Sequence, residues 1–274
     1  MTYRTLRLVS TDEGVLSVVM DAPPMNLIGP ELVRDLVKLV GELETDQGVR
    51  VVVLESADPE YFVPHVDLTK VADYTTEAAR AGGPGDASLG MLWYRLSKLP
   101  AVTIAKIRGR ARGAGSELAL ACDMRFASRE NAVLGQIEVG TGAPPGAGGM
   151  QHLARLLGRG RAMEAILGAD DFDADTAERY GWINRALPDA ELDAFVSRLA
   201  GRIASFPVEG VRTAKRVLNE LTLPAADAVR ADAIRFRDLV AADATQARVK
   251  ALFALGLQTR GPLELNLGER LGDL

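Results

Sequence analysis

Hydrophobic and polar positions alternate in blocks along the first half of the chain. Val15-Leu-Ser-Val-Val-Met20 is a short β-branched run that stops at Asp21-Ala-Pro-Pro24, where proline cannot extend a strand ladder. Leu32, Val33, Leu36, Val37, Val40 and Leu43 then recur at helical spacing behind Pro30, a residue suited to a first helical turn. Arg50-Val-Val-Val-Leu54 reads as a buried strand, apolar on both faces. The polar stretch from Thr75 to Asp86, with Gly82-Gly-Pro-Gly85 in it, reads as a mobile loop. Leu89, Leu92 and Leu96 mark a helix, Ala101-Val-Thr-Ile-Ala105 a strand, Ser116 to Cys122 a short helix and Met124-Arg-Phe-Ala127 a strand. This succession of β and α argues for an α/β fold with right-handed crossovers.

Beyond Gly149 the pattern turns mostly helical. Asp173 is a candidate N-cap, Asp175 adds charge to the first turn, and Gly181 closes that helix. Trp182-Ile-Asn-Arg-Ala186 reads as one more extended segment. From Ala190 onward three helices are predicted, broken at Pro207 and Pro224. The change of character places a soft boundary near residue 200, with a core over 1–200 and a helical region over 201–274.

Composition narrows the function. The 274 residues suffice for a large core. The balance is mildly acidic, −5, and the basic residues are dispersed, which argues against nucleic acid. No apolar run is long enough to span a bilayer and no secretory signal is evident, so a cytoplasmic protein is expected. A single cysteine, Cys122, and two histidines, His65 and His152, leave little material for a metal site, and none is expected. Cys122 reads as inert core, and His152 as a helix-surface residue. Met91, Trp93 and Tyr94 read as core ahead of an acyl pocket. Arg108, Arg110 and Arg112 read as a solvated or intersubunit face ahead of a phosphate site.

The candidate chemistry lies in two glycine-rich stretches. Glu117 sits in Gly109-Arg-Ala-Arg-Gly-Ala-Gly-Ser-Glu-Leu-Ala-Leu-Ala-Cys-Asp123, and Glu138 in Gly135-Gln-Ile-Glu-Val-Gly-Thr-Gly-Ala-Pro-Pro-Gly-Ala-Gly-Gly149. Two carboxyl groups supply an acid and a base. The backbone at Gly113-Ala-Gly115, opening a helix, supplies N–H donors for a negative oxygen. A second donor is sought in Tyr61-Phe-Val-Pro-His-Val-Asp-Leu68. Gly146-Ala-Gly-Gly149 reads as support for the site. Sequence spacing alone leaves open whether the two glutamates meet.

These motifs, with Ala22-Pro-Pro-Met-Asn26, resemble those of the crotonase (enoyl-CoA hydratase/isomerase) superfamily over roughly residues 10 to 255 in order. The resemblance implies a spiral of ββα units with a C-terminal helical trimerisation region, a trimer or dimer of trimers, and an acyl-CoA substrate with no separate cofactor. Carried over by position, Glu117 activates water and Glu138 handles the α-proton, with oxyanion donors at Val66 and Ala114. Ligand contact is implied at Pro24, Met25, Val66, Asp67, Leu68, Thr69 and Gly113. Both glutamates together favour hydration of a trans-2-enoyl-CoA. Isomerisation, decarboxylation, thioester hydrolysis and a catalytically silent acyl-CoA-binding oligomer stay open. Two departures stand out: Pro64-His65 replaces the usual glycine before the first donor, and the tail after Leu257 lacks the usual basic pattern, leaving Arg260 as a phosphate candidate.

Overall fold

A computed structural model describes residues 3–11, 13–82 and 86–273. The hairpin β1 (Leu6–Ser10) and β2 (Val15–Met20) leads into α1 (Pro30–Leu43). Next come β3 (Val51–Ser56), β4 (Tyr61–Val63), α2 (Val71–Gly82) and α3 (Leu89–Ser97). The same plan repeats with β5 (Val102–Ile107), β6 (Arg110–Arg112) and α4 (Ala114–Ala121). It repeats again with β7 (Met124–Ser128), β8 (Val133–Gly135), α5 (Glu138–Thr141), α6 (Gly149–Leu157) and α7 (Arg159–Gly168). The core closes with β9 (Asp171–Asp173), α8 (Ala174–Tyr180) and β10 (Arg185–Leu187).

Each ββα unit divides its strands between two sheets. β3, β5 and β7 lie in a sheet of order β1-β2-β3-β5-β7-β10, parallel apart from the β1–β2 hairpin. β4, β6 and β8 lie side by side and parallel in a second sheet, edged by antiparallel β9. This is the spiral of ββα units that the resemblance implies.

The run of valines in β3 has a simple packing explanation. Val52 and Leu54 face the main core with α1 and α3, while Val51 and Val53 face a second cluster with Val102, Ile104, Leu192 and Val196. The latter two residues belong to α9 (Asp189–Ala204), which covers the outer face of the large sheet. Burial on both faces is what a parallel strand requires.

Four readings of the sequence change. Thr75 to Gly82 belongs to α2, not to a loop; its Tyr74 and Ala78 are buried a turn apart, a period that the surrounding polar residues conceal. Gly83 to Gly85 lie outside the described residues. The extended segment after Gly181 is only Arg185–Leu187. The helices after Ala190 are also more numerous: α9, α10 (Val208–Thr222) and α11 (Ala226–Val240) are followed by α12 (Asp243–Ala254), α13 (Pro262–Leu265) and α14 (Leu267–Leu271). The third stretch breaks at Ala241-Ala242 without proline or glycine. Finally, Arg108, Arg110 and Arg112 do not form one solvated face. Arg108 pairs with Asp189 and Asp193, Arg110 donates to Leu265 O, and Arg112 is fully buried, bidentate to Asp171 at 2.6 Å. No helix among the described residues is long and apolar enough to cross a membrane.

Candidate active site

Three parallel three-residue strands end together, and the chain leaving each one carries a piece of the site. β4 leads to Pro64-His65-Val66, β6 to Gly113-Ala114, and β8 to Gln136-Ile137-Glu138. The pairing Val63↔Ala111 and Arg112↔Gly135 puts these exits side by side. His65, Val66, Gly113, Ala114, Glu117 and Glu138 consequently border one cavity of about 270 Å³. Leu68, Tyr74, Ile137, Leu252 and Leu257 give the same cavity an apolar wall.

The backbone amides of Val66 and Ala114 have no acceptor among the described residues. Ala114 is the first residue of α4, so its N–H has no partner within the helix. Gly113 precedes it at φ 50°, in the left-handed region that favours glycine, and a Cβ there would lie 3.1 Å from Glu138 Oε1. Gly115 answers a different demand. A Cβ on it would sit 2.0 Å from the carbonyl oxygen of Val63, so α4 can press against β4 only without a side chain at that position.

Glu117, in the first turn of α4, is 2% exposed. Its Oε1 accepts from the N–H groups of Ala147 and Gly149, both at 2.8 Å. Its Oε2 has no donor among the described residues. The stretch Gly146 to Gly149 therefore supports the site by direct contact: it grips one catalytic candidate through its backbone. Glu138 opens α5 and is 9% exposed. The amide nitrogen of fully buried Gln136 donates to both of its oxygens at 3.0 Å.

Burial pushes the Glu138 carboxyl up to about 7, against the opposing pull of the Gln136 donor and the His65 charge. Burial first, and repulsion from Glu138 second, hold Glu117 well above the ordinary glutamate range, despite its two amide donors. Two buried carboxyls that repel in this way titrate as a pair and favour sharing one proton.

The fold therefore brings Glu117, Glu138, Val66, Ala114, Leu68 and Gly113 together. Pro24, Met25, Asp67 and Thr69 do not border the cavity. Met25 is fully buried, and Pro24 O accepts from Arg260 at 2.9 Å. Asp67 Oδ1 accepts from Thr69 and from the Gln258 side chain. Arg260 itself is held by Asp58 and Glu60 and stacks over Tyr61, so its charge is already engaged within the chain. Met91 and Trp93 are buried in the core away from the cavity. Cys122 is buried, with its thiol pushed up to about 12. His152 is half-buried, not a surface residue, and burial lowers its pKa to about 4.

Among the described residues other than glycine, only Asn26, Ala169 and Gln258 have left-handed backbone, and His65 does not. Replacing glycine there costs no backbone strain of that kind. Three polar partners had no local signal in the sequence: Gln136, two residues from Glu138, and Gln258 and Glu264 in the C-terminal segment, which reach back across 190 or more residues.

An α/β spiral with paired carboxyls facing two open amides is the architecture of an acyl-thioester enzyme class, and comparison with known proteins agrees. The enoyl-CoA hydratase/isomerase family profile matches residues 10–254, and the chain belongs to that family. It is 35% identical over 210 residues to a short-chain-enoyl-CoA hydratase of Clostridium acetobutylicum, covering 76% of this chain and 78% of the relative. A crotonyl-CoA hydratase of Syntrophomonas wolfei is 32% identical over 221 residues, with 80% and 83% covered. A crystal structure from Streptomyces avermitilis, of a protein assigned as an enoyl-CoA hydratase, is 62% identical with a TM-score of 0.98, covering 100% of this chain and 98% of that one.

Proposed function

We infer that the chain is an enoyl-CoA hydratase, a hydro-lyase that adds water across the double bond of a trans-2-enoyl-CoA or removes it in reverse. One observation carries the reading: both carboxyls and both open amides border a single cavity. In the proposed arrangement the thioester oxygen accepts from Val66 N–H and Ala114 N–H. These fixed donors hold the negative charge that builds up on the oxygen as the enolate forms. The dipole of α4 adds partial positive charge there.

Glu117, fixed by Ala147 and Gly149, presents its other oxygen to a water molecule and takes a proton as the hydroxyl adds to the β-carbon. Glu138 delivers a proton to the α-carbon. The pair starts and ends with one proton between the two carboxyls, which their mutual repulsion favours. Isomerisation would need only one of these groups, and the engagement of both favours hydration. The open Val66 amide likewise speaks against a catalytically silent protein.

Val66, Leu68 and Gly113, which border the cavity, are proposed as substrate contacts, while Pro24, Met25, Asp67 and Thr69 lie off it and are proposed on the family likeness alone. We further propose a 1–200 core and a 201–274 oligomerising region, assembled as a cytoplasmic trimer or dimer of trimers that needs no cofactor. In that second region Phe206, Val217, Leu218 and Leu221 are exposed apolar residues suited to burial between copies.

The test is product identification with a panel of short and medium trans-2-enoyl-CoA thioesters. A 3-hydroxyacyl-CoA is expected. A shifted double bond, free acid or unchanged thioester would overturn the reading.

A further inference from the structure

The peptide on each side of Val66 is pinned, and one of the pins comes from the far end of the chain. His65 O accepts from Ile28 N at 3.0 Å, and a trans peptide points the N–H opposite its C=O. That contact therefore turns Val66 N–H away from Ile28 and leaves it free for the cavity. On the other side, Asp67 N donates to Ile28 O at 3.0 Å, and the Nδ1–H of His65 donates to Val66 O at 2.8 Å.

The His65 ring is itself buried, at 5% exposure, and its Nε2 lies 3.0 and 3.2 Å from the two oxygens of Glu264. Both ring nitrogens thus face acceptors, a pattern that N–H at each nitrogen satisfies. Glu264 is fully buried and its Oε1 also accepts from Gln258 N at 2.6 Å. Arg112 Nη1 donates to Glu264 O at 2.6 Å, which anchors this segment to β6. Gln258 completes the clasp: its Oε1 accepts from Leu68 N and its Nε2 donates to Asp67, each at 2.8 Å. Residues 258–264 therefore hold His65 and Asp67, the immediate neighbours of Val66, and Leu68 one residue further on.

We propose that His65 and Glu264 form a positioning pair for the hydration reaction, aiming the Val66 amide at the thioester oxygen and making that donor depend on the docked C-terminal segment. Neither residue need touch the reacting atoms. The proposal rests on the hydratase reading above.

Three variants test it: His65→Gln, Glu264→Ala and Glu264→Gln. A glutamine at 65 can still donate to Glu264, so the buried carboxylate keeps a partner while the contact to Val66 O is lost. Its kcat is expected to fall roughly 10- to 100-fold, with KM within about threefold, because the donor acts on the transition state more than on bound substrate. Glu264→Ala is expected to fall similarly. Glu264→Gln, which can donate to a ring still bonded to Val66 O, recovers most of the rate. A segment that serves only to hold the fold together would instead lower Tm and leave the kcat of the folded enzyme unchanged.

His65→Gln and Glu264→Ala both retaining kcat within about twofold of an active wild type would overturn the pair. A wild-type enzyme that hydrates no enoyl-CoA would instead bring down the functional reading.

Discussion

At the scale of single residues the site is two buried acids whose environments differ. Glu117 is fixed by two main-chain amides, Glu138 by one side-chain amide. Glu117→Gln and Glu138→Gln are each expected to lower kcat by roughly 10²–10⁴-fold with the fold retained, as measured by steady-state hydration and circular dichroism. The raised Glu138 pKa also has a stability consequence. Its folded value of about 7 exceeds the ordinary 4.5, so between these values the folded chain holds a proton that the unfolded chain releases. The stabilisation is complete below about pH 4.5 and is lost as the pH rises through about 7. Thermal unfolding of wild type against Glu138→Gln across that window should show a decline with pH that the variant reduces. Equal slopes would contradict the assignment. Both glutamates were legible from the sequence because each sits in a distinctive glycine-rich stretch. Gln136, Gln258 and Glu264 were not, since a hydrogen bond made across the fold leaves no periodicity to read.

At the scale of elements, convergence depends on strands of three residues. β4, β6 and β8 are too short to show an alternating pattern, and none of them is apparent in the chain's hydrophobic periodicity. β2, β3, β5, β7, α1, α3 and α4 are legible because runs of regular patterning define them, or because a glycine-rich start does, whereas β1, which has only one buried position, is not. α2 was hidden by its polar composition. Gly115 shows why element contacts matter to the chemistry. Gly115→Ala would drive a methyl into the Val63 carbonyl and push α4 off β4. A loss of about 1–3 kcal/mol in stability is expected, read from denaturant unfolding, together with lower kcat as Ala114 and Val66 separate. Wild-type stability would mean that the two elements are less tightly packed than the structure shows.

At the scale of the molecule, the C-terminal third both encloses the site and exposes apolar surface. Leu252, Leu257, Leu263, Leu267 and Leu271 pack on Ile137, next to Glu138. Leu218 and Leu221 on α10 remain exposed at 60% and 76%. Sedimentation equilibrium is expected to give three or six times the 29.3 kDa of one chain, and charged substitutions at Leu218 and Leu221 to shift it toward smaller species. A monomer at micromolar concentration would remove the oligomerising role from residues 201–274. The overall α/β plan and the helical end could be read from the block pattern, but the return of residues 258–271 onto the first half could not. That docking is set by contacts from buried Arg112 to the Glu264 and Leu265 carbonyls and from Gly268 N–H to half-buried Asp171.

The most direct test is a crystal structure with an unreactive acyl-CoA bound. The account predicts the thioester oxygen within about 2.7–3.1 Å of both Val66 N and Ala114 N, with the Glu138 carboxyl at the α-carbon and Glu117 at the β-carbon. A thioester oxygen bound away from those amides, or an acyl chain that leaves either carboxyl out of reach, would contradict it.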